Sequence, residues 1–311
     1  MTEPENALSA TSTSVADASS RNDGADLPSR REALDAVHLT FSGDTRIITV
    51  SNQKGGVGKT TSTVNLAAAL AAHGARVLVI DLDPQGNAST ALGVPHSADT
   101  PSVYDVLIDE FPLAEIVQTS PESPLLLCAP STIHLAGAEI EMATQVAREH
   151  RLRTAITDYL QVVEAPPDVI LIDCPPSLGL LTINAFTAAK ELMIPIQCEY
   201  YALEGLSQLL GSVQMIQKHL NPGLTLSTIL LTMFDGRTRL AQQVADEVRR
   251  HFAPQVLHTV IPRSVRISEA PSFGQTVIAY DPTSVGALAY REAAVEMVQR
   301  GHEVHHEEGA P

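Results

Sequence analysis

Short apolar runs of Val, Ile and Leu recur along the chain at 46–51, 76–82, 125–129, 168–173, 191–197, 225–233 and 256–261. They are largely continuous rather than alternating, as expected of strands buried on both faces. Between them, apolar residues fall at helical intervals over 59–73, 135–160, 204–219, 238–251 and 284–299. Pro166 and Pro167 close the second of these before the next strand begins. The alternation predicts an α/β fold: a doubly wound, mostly parallel sheet flanked by helices. Right-handed crossovers in such a sheet gather the ligand loops at the carboxyl edge of the strands.

The two ends break the pattern. Residues 1–44 are rich in Ser, Ala, Thr, Asp and Glu, and have no Phe, Tyr or Trp before Phe41. A disordered N-terminal tail is expected there, with a short helix over 31–39. That segment is too short and polar for a helix-turn-helix domain. Residues 300–311, with His302, His305 and His306, read as a second polar tail. One folded domain is expected over 45–299.

Composition narrows the class. Hydrophobic residues make up 44% of the 311 residues, aromatics only 4%, and Trp is absent. Ala, Val, Leu and Ile therefore carry the core, which suits helices packed on parallel strands. The formal net charge of −16 excludes a globally basic nucleic-acid binder, so any DNA contact must come from a local cationic patch. Cys128, Cys174 and Cys198 form no Cys-x-x-Cys pair and read as buried structural thiols. The N-terminus has no signal-peptide pattern, and no run approaches the roughly 18 apolar residues of a membrane span. A cytoplasmic protein is expected.

The chemistry concentrates at strand ends. After the first apolar run comes Gln53-Lys-Gly-Gly-Val-Gly-Lys-Thr-Thr61, and a helix-like run follows it. Strand, glycine loop, then helix is the context that makes this string a phosphate-binding loop. The amides of Gly55, Gly56, Val57, Gly58, Lys59, Thr60 and Thr61 can converge on a polyphosphate. Lys59 would reach the β- and γ-phosphates and Thr60 would hold Mg²⁺. Gln53 stands where the usual spacing has Gly, and Lys54 is an extra lysine at the loop's entry. A plain turn would need neither three glycines nor two lysines. The second strand ends in Asp81-Leu-Asp-Pro-Gln-Gly-Asn, whose alternation places Asp81 and Asp83 on one face. Phosphoryl transfer needs a carboxylate to organise Mg²⁺ and a polar group to orient the attacking water. The fourth strand ends in Asp173-Cys-Pro-Pro-Ser, a further carboxylate for the metal.

These three motifs together resemble the deviant Walker A ATPases, and more narrowly the ParA/Soj chromosome- and plasmid-partition ATPases. Gln197-Cys-Glu-Tyr-Tyr-Ala-Leu-Glu-Gly205, Thr232-Met-Phe-Asp-Gly-Arg-Thr238 and Ile261-Pro-Arg-Ser-Val-Arg-Ile-Ser-Glu-Ala-Pro-Ser272 extend the resemblance over roughly 46–299. It implies ATP as substrate, Mg²⁺, and a sandwich homodimer in which Lys54 crosses to the partner subunit's phosphates. Asp83 matches the catalytic acid and Asp81 the acid near the magnesium shell. Thr232, Met233, Pro262 and Arg263 match the adenine region. Arg237 and Arg266 match positions for non-specific double-stranded DNA, and a ParB-type centromere-binding protein is implied as the partner that stimulates hydrolysis. A cytoplasmic, nucleoid-associated enzyme is implied, with no membrane attachment.

Three other readings share the core. A MinD-like membrane-associated positioning ATPase needs a basic amphipathic C-terminal helix, whereas residues 298–308 are polar and acidic. An iron–sulfur reductase of the nitrogenase iron-protein type needs paired cysteine ligands at the dimer face, and Cys174 has no convincing second. A nucleotide-switched transcriptional regulator would be expected to carry a DNA-binding domain ahead of the loop.

Overall fold

In the computed structural model, which describes residues 30–41, 43–200 and 202–307, the apolar runs form an eight-stranded sheet. The strands are β1 (Arg46–Val50), β2 (Val77–Asp81), β3 (Gln118–Thr119), β4 (Leu126–Ala129), β5 (Val169–Asp173), β6 (Glu191–Gln197), β7 (Thr225–Phe234) and β8 (Val256–Pro262). Their order is β3-β4-β2-β5-β1-β6-β7-β8. Every pairing is parallel except β3 with β4, which is antiparallel. Strand β3, two residues long, is the one strand the hydrophobic pattern did not predict, because it is too short to have a period.

Alternate strand residues feed two cores, one on each side of the sheet. Leu78, Ile80, Ile170 and Ile172 face one side, under the helices Val103–Ile108, Leu135–Met142, Arg151–Val162, Leu180–Ala188, Ala202–His219 and Arg239–Phe252. Val77, Val79, Val169 and Leu171 face the other, under Lys59–Ala72 and Val285–Glu307. Lys59–Ala72 is buried along nearly its whole length. Its alanines let it lie close against the sheet.

The expected single helix over 135–160 is two, Leu135–Met142 and Arg151–Val162, with Ala147 between them at φ 52°. A non-glycine residue in the left-handed region cannot continue a right-handed helix. Helix Leu180–Ala188 was not predicted. Leu181, Thr182, Asn184, Ala185, Phe186, Thr187 and Ala188 are all buried, so it has no polar face to betray a helical period. Phe186→Ala should cost about 3–5 kcal/mol by leaving a void beneath the sheet. A shift of the urea midpoint at constant slope would report that loss, and an unchanged midpoint would contradict the packing.

Within the expected N-terminal tail, helix Arg30–Asp35 docks on the last helix. Asp35 pairs with Arg291 at 2.7 Å, Arg30 pairs with Glu292, and Leu34 is buried. The amide of Leu39 donates to the His73 carbonyl at 3.1 Å. The final helix runs to Glu307, past the expected boundary at 299. The readings for residues 1–29 and 308–311 lie outside the described residues.

Candidate functional site

Parallel register builds the site from distant segments. Val50 at the end of β1 is level with Asp173 at the end of β5, and Asp173 is level with Asp81 at the end of β2. The glycine loop therefore leaves the sheet in the same row as both carboxylates. It emerges from a central strand, with β5 on one side and β6 on the other.

The loop is held from outside and open within. Asn52 Nδ2 donates to the Pro195 carbonyl at 2.8 Å, and Asn52 Oδ1 accepts the Lys54 amide at 3.0 Å. The Thr232 hydroxyl donates to the Val57 carbonyl at 2.8 Å. Gly56 and Gly58 sit at φ 74° and 89°, where a side chain would be strained. A Cβ added at Gly55 or Gly56 would meet no described atom within 4 Å, so the loop there borders open space.

Lys59 opens the helix with 7% exposure, its Nζ 3.4 Å from the Lys54 carbonyl. Burial pulls its ammonium below the ordinary lysine range, while the Asp173 carboxylate opposes that. Asp173 is fully buried; Oδ1 accepts the Thr63 hydroxyl at 3.1 Å and Oδ2 has no hydrogen-bond partner within 3.5 Å among the described residues. Burial, and then the charge of Asp81, push its carboxyl well above the usual range, against the hydroxyls of Thr60 and Thr63. A buried oxygen without a partner is costly, and a divalent cation between Thr60 and Asp173 would satisfy it. The donor set is hard oxygen, which fits Mg²⁺.

Asp81 is engaged differently. Its Oδ2 accepts the Ser89 amide at 2.8 Å and the Ser89 hydroxyl at 2.7 Å, and Oδ1 accepts the Asp83 amide at 3.2 Å. It anchors the turn that carries Asp83. Asp83 Oδ1 accepts the Gln85 amide at 3.0 Å, which leaves Oδ2 for a water. This carboxylate lines a cleft of about 380 Å³ shared with Gln85, Glu139, Pro175 and Ser177.

The remaining predicted residues are placed around this centre. Met233, at φ 49°, and Thr232 come within 4 Å of where a Gly58 Cβ would stand. Phe234 pairs with Pro262, and the Arg263 amide lies 3.4 Å from the Phe234 carbonyl, so the predicted adenine region shares the loop's edge. Lys54 is not in the phosphate cradle: its Nζ pairs with Glu199 Oε2 at 2.7 Å. Arg237 and Arg266 lie apart and exposed, Arg237 in the turn past β7 and Arg266 in the short helix Val265–Glu269 past β8. Arg237 is paired with Asp235 at 3.0 Å, and Arg266 with Glu269 at 3.2 Å and Asp281 at 3.4 Å.

Sequence reasoning missed Asn52, Thr63, Ser89 and Glu199. Thr63 had a signal, since it sits one helical turn beyond Lys59. The others act through contacts that no local spacing encodes. The three cysteines are buried as expected, and burial pushes the Cys174 thiol up to about 12, so it is an inert neighbour of Asp173. Among the described residues, no helix is long and apolar enough to cross a membrane.

A phosphate loop on a central parallel strand, with carboxylates from the neighbouring strands in its row, defines a P-loop nucleoside-triphosphate hydrolase. A family model described as an AAA domain matches residues 45–226. The chain is 52% identical to the sporulation initiation inhibitor protein Soj of Bacillus subtilis over 256 residues, covering 82% of this chain and 99% of that protein. It is 49% identical to the chromosome partitioning protein ParA of Myxococcus xanthus over 255 residues, covering 82% of this chain and 88% of that one. Among solved structures it is similar to cobyrinic acid a,c-diamide synthase from Mycobacterium smegmatis with bound ADP and magnesium. That match has a TM-score of 0.71 and 35% identity, over 84% of this chain and 97% of that one. The septum site-determining protein MinD from Pyrococcus horikoshii, complexed with Mg-ADP, matches with a TM-score of 0.64 and 28% identity over 81% and 95%. The chain belongs to the ParA/Soj family of chromosome-partition ATPases.

Proposed function

We propose that the chain is an ATP-dependent DNA-segregation ATPase that works as a nucleotide-gated dimer on non-specific DNA. The observation that carries this reading is the division of labour between two lysines of one loop. Lys59 is buried beside Asp173, while Lys54 is 41% exposed and held by a residue beyond β6. On this reading one ammonium would serve the chain's own phosphates and the other would reach a second subunit.

ATP would lie in the cradle of Gly55, Gly56, Val57, Gly58, Thr60 and Thr61, with Lys59 on the β- and γ-phosphates. Mg²⁺, when bound, neutralises charge on the phosphates. The Thr60 hydroxyl and Asp173 would hold it, and Asp81 would keep the neighbouring turn in place. Asp83 would accept a hydrogen bond from the attacking water and align it on the γ-phosphorus. Met233, Pro262 and Arg263 would border the adenine. Two loaded chains would then close face to face, each Lys54 crossing to the other's triphosphate.

Arg237 and Arg266 would bind DNA phosphates in that dimer. Both are exposed, and exposed ion pairs exchange easily, so DNA phosphate can replace Asp235, Glu269 and Asp281. Such contacts read little sequence. Hydrolysis reopens the dimer and releases it from the nucleoid, and a ParB-type partner would accelerate that step. The partition reading is favoured over a MinD-like one by 52% identity to Soj against 28% to the solved MinD.

The test is binding to random-sequence DNA, titrated with salt, in ATP, in ADP and without nucleotide. Binding should require ATP and fall steeply with salt. The Arg237→Ala/Arg266→Ala double variant should lower the slope of log K against log salt by about 3 to 4 per dimer, from four phosphates at roughly 0.9 each. Full ATP-dependent affinity in that variant would remove the arginine assignment, and binding in none of the three states would remove DNA from the function.

A further inference from the structure

The Lys54–Glu199 pair joins two segments that neither the phosphate loop nor the sheet requires to meet. Glu199 follows β6, in the turn before helix Ala202–His219. Its backbone is fixed: its amide donates to the Gln197 carbonyl at 2.8 Å and its carbonyl accepts the Ala202 amide at 3.0 Å. Its carboxylate is fixed too, because Oε1 accepts the Gln197 side-chain amide while Oε2 takes Lys54. With Oε1 held by Gln197, the carboxylate is pre-organised to receive an ammonium on Oε2 at little further entropic cost.

The loop adds a second coupling. Lys59 Nζ lies 3.4 Å from the carbonyl of Lys54 itself. The buried lysine therefore touches the backbone of the residue whose side chain Glu199 holds. When Lys59 turns to phosphate oxygens, the Lys54 carbonyl loses that contact and its segment is freer to move. The Lys54 amide stays on Asn52 Oδ1, and among the described residues the Glu199 pair is what release of the side chain has left to break.

We propose that Glu199 is a latch on Lys54: it holds the crossing lysine in the single chain and sets the threshold at which ATP-loaded chains dimerise. The proposal rests on the reading of Lys54 as the residue that crosses to the second subunit. Glu199 is a positioning residue here and acts only through Lys54. The pair is half-exposed, with side chains 41% and 46% accessible, so it is a weak restraint that a triphosphate outcompetes. It orders events without blocking them: a chain without a loaded partner keeps its lysine at home. Removing the carboxylate should favour the dimer by about 1.5- to 5-fold per subunit, and so about 2- to 25-fold for two subunits.

The experiment uses the full chain and a non-hydrolysable ATP analogue with Mg²⁺. Dimer dissociation constants are measured by sedimentation for the wild type, Glu199→Gln, Glu199→Ala and Lys54→Ala. The acylation rate of Lys54 is measured by mass spectrometry in the nucleotide-free chain. Both Glu199 variants should dimerise more tightly within the stated range and should expose Lys54 to faster acylation. The gain should shrink at high salt, which screens the pair in the wild type. Dimerisation that is unchanged or weaker in both Glu199 variants overturns the latch, as does an unchanged acylation rate. If instead Lys54→Ala dimerises as tightly as the wild type, the crossing role itself fails and the latch falls with it.

Discussion

Asp83→Ala is expected to slow ATP turnover by about 10²–10³-fold while leaving ATP binding and ATP-driven dimerisation in place. Asp83 Oδ1 is engaged by the Gln85 amide, and the Asp83 side chain lines a cleft where a water would stand. Removing the carboxylate takes away the group proposed to align that water. It leaves Lys59, Thr60 and Asp173, which would hold the phosphates and the metal, untouched. The turn itself survives, because Asp81 fixes it through the Asp83 amide and Ser89, which do not involve the Asp83 side chain. Phosphate release at saturating ATP, read beside sedimentation, separates the two effects. Wild-type turnover in the variant would take Asp83 out of the mechanism. Loss of dimerisation along with turnover would mean that the carboxylate acts in binding.

Lys54→Ala should have the opposite profile, with ATP bound by the single chain and the ATP-dependent dimer weakened by about 10³-fold or more. A charged group lost from a desolvated ion pair at an interface typically costs about 2–5 kcal/mol, and a symmetric dimer loses two. The affinity of the dilute chain for ATP should change little, since the Lys54 side chain reaches Glu199 rather than its own phosphate cradle. Light scattering with and without ATP decides it. A variant that dimerises like the wild type would return Lys54 to a surface residue.

The two variants together test whether hydrolysis and dimerisation are separable in this chain. The positions of their side chains argue that they are. Asp83 sits on a turn anchored to the end of β2, and Lys54 on the entry to a loop anchored to β6 through Asn52 and Pro195. A change at one leaves the other's anchors intact, so their effects on stability should add.

Much of the architecture was legible because parallel strands buried on both faces leave continuous apolar runs. Each run from 46–51 to 256–261 became a strand, and the loop at 53–61 lies where a strand–glycine–helix unit must put it. The long helix expected over 135–160 shows where a local period misleads. Apolar spacing continued through Ala147, although the backbone there turns left-handed. Helix Leu180–Ala188 failed for the complementary reason, since burial on every side erases the period that marks a helix.

At the site, the chain's order of residues determined the chemistry on offer: a phosphate loop with two lysines, a threonine at its helix start, and acids at the ends of two apolar strands. These are local features, set by spacing and by the geometry of a strand that ends in a turn. Only the tertiary structure decided how that chemistry is divided. The register of β2, β5 and β1 put Asp81, Asp173 and the loop in one row. Ser89 then engaged Asp81, while Asp173 kept an unpartnered oxygen. Asp281 reached Arg266 from a separate segment, and Glu199 captured Lys54. The capture of Lys54 and the row of acids depend on segments far apart in the chain that meet only through sheet order. A spacing rule reads neighbours along the chain, whereas a buried oxygen or an ion pair is defined by neighbours in space.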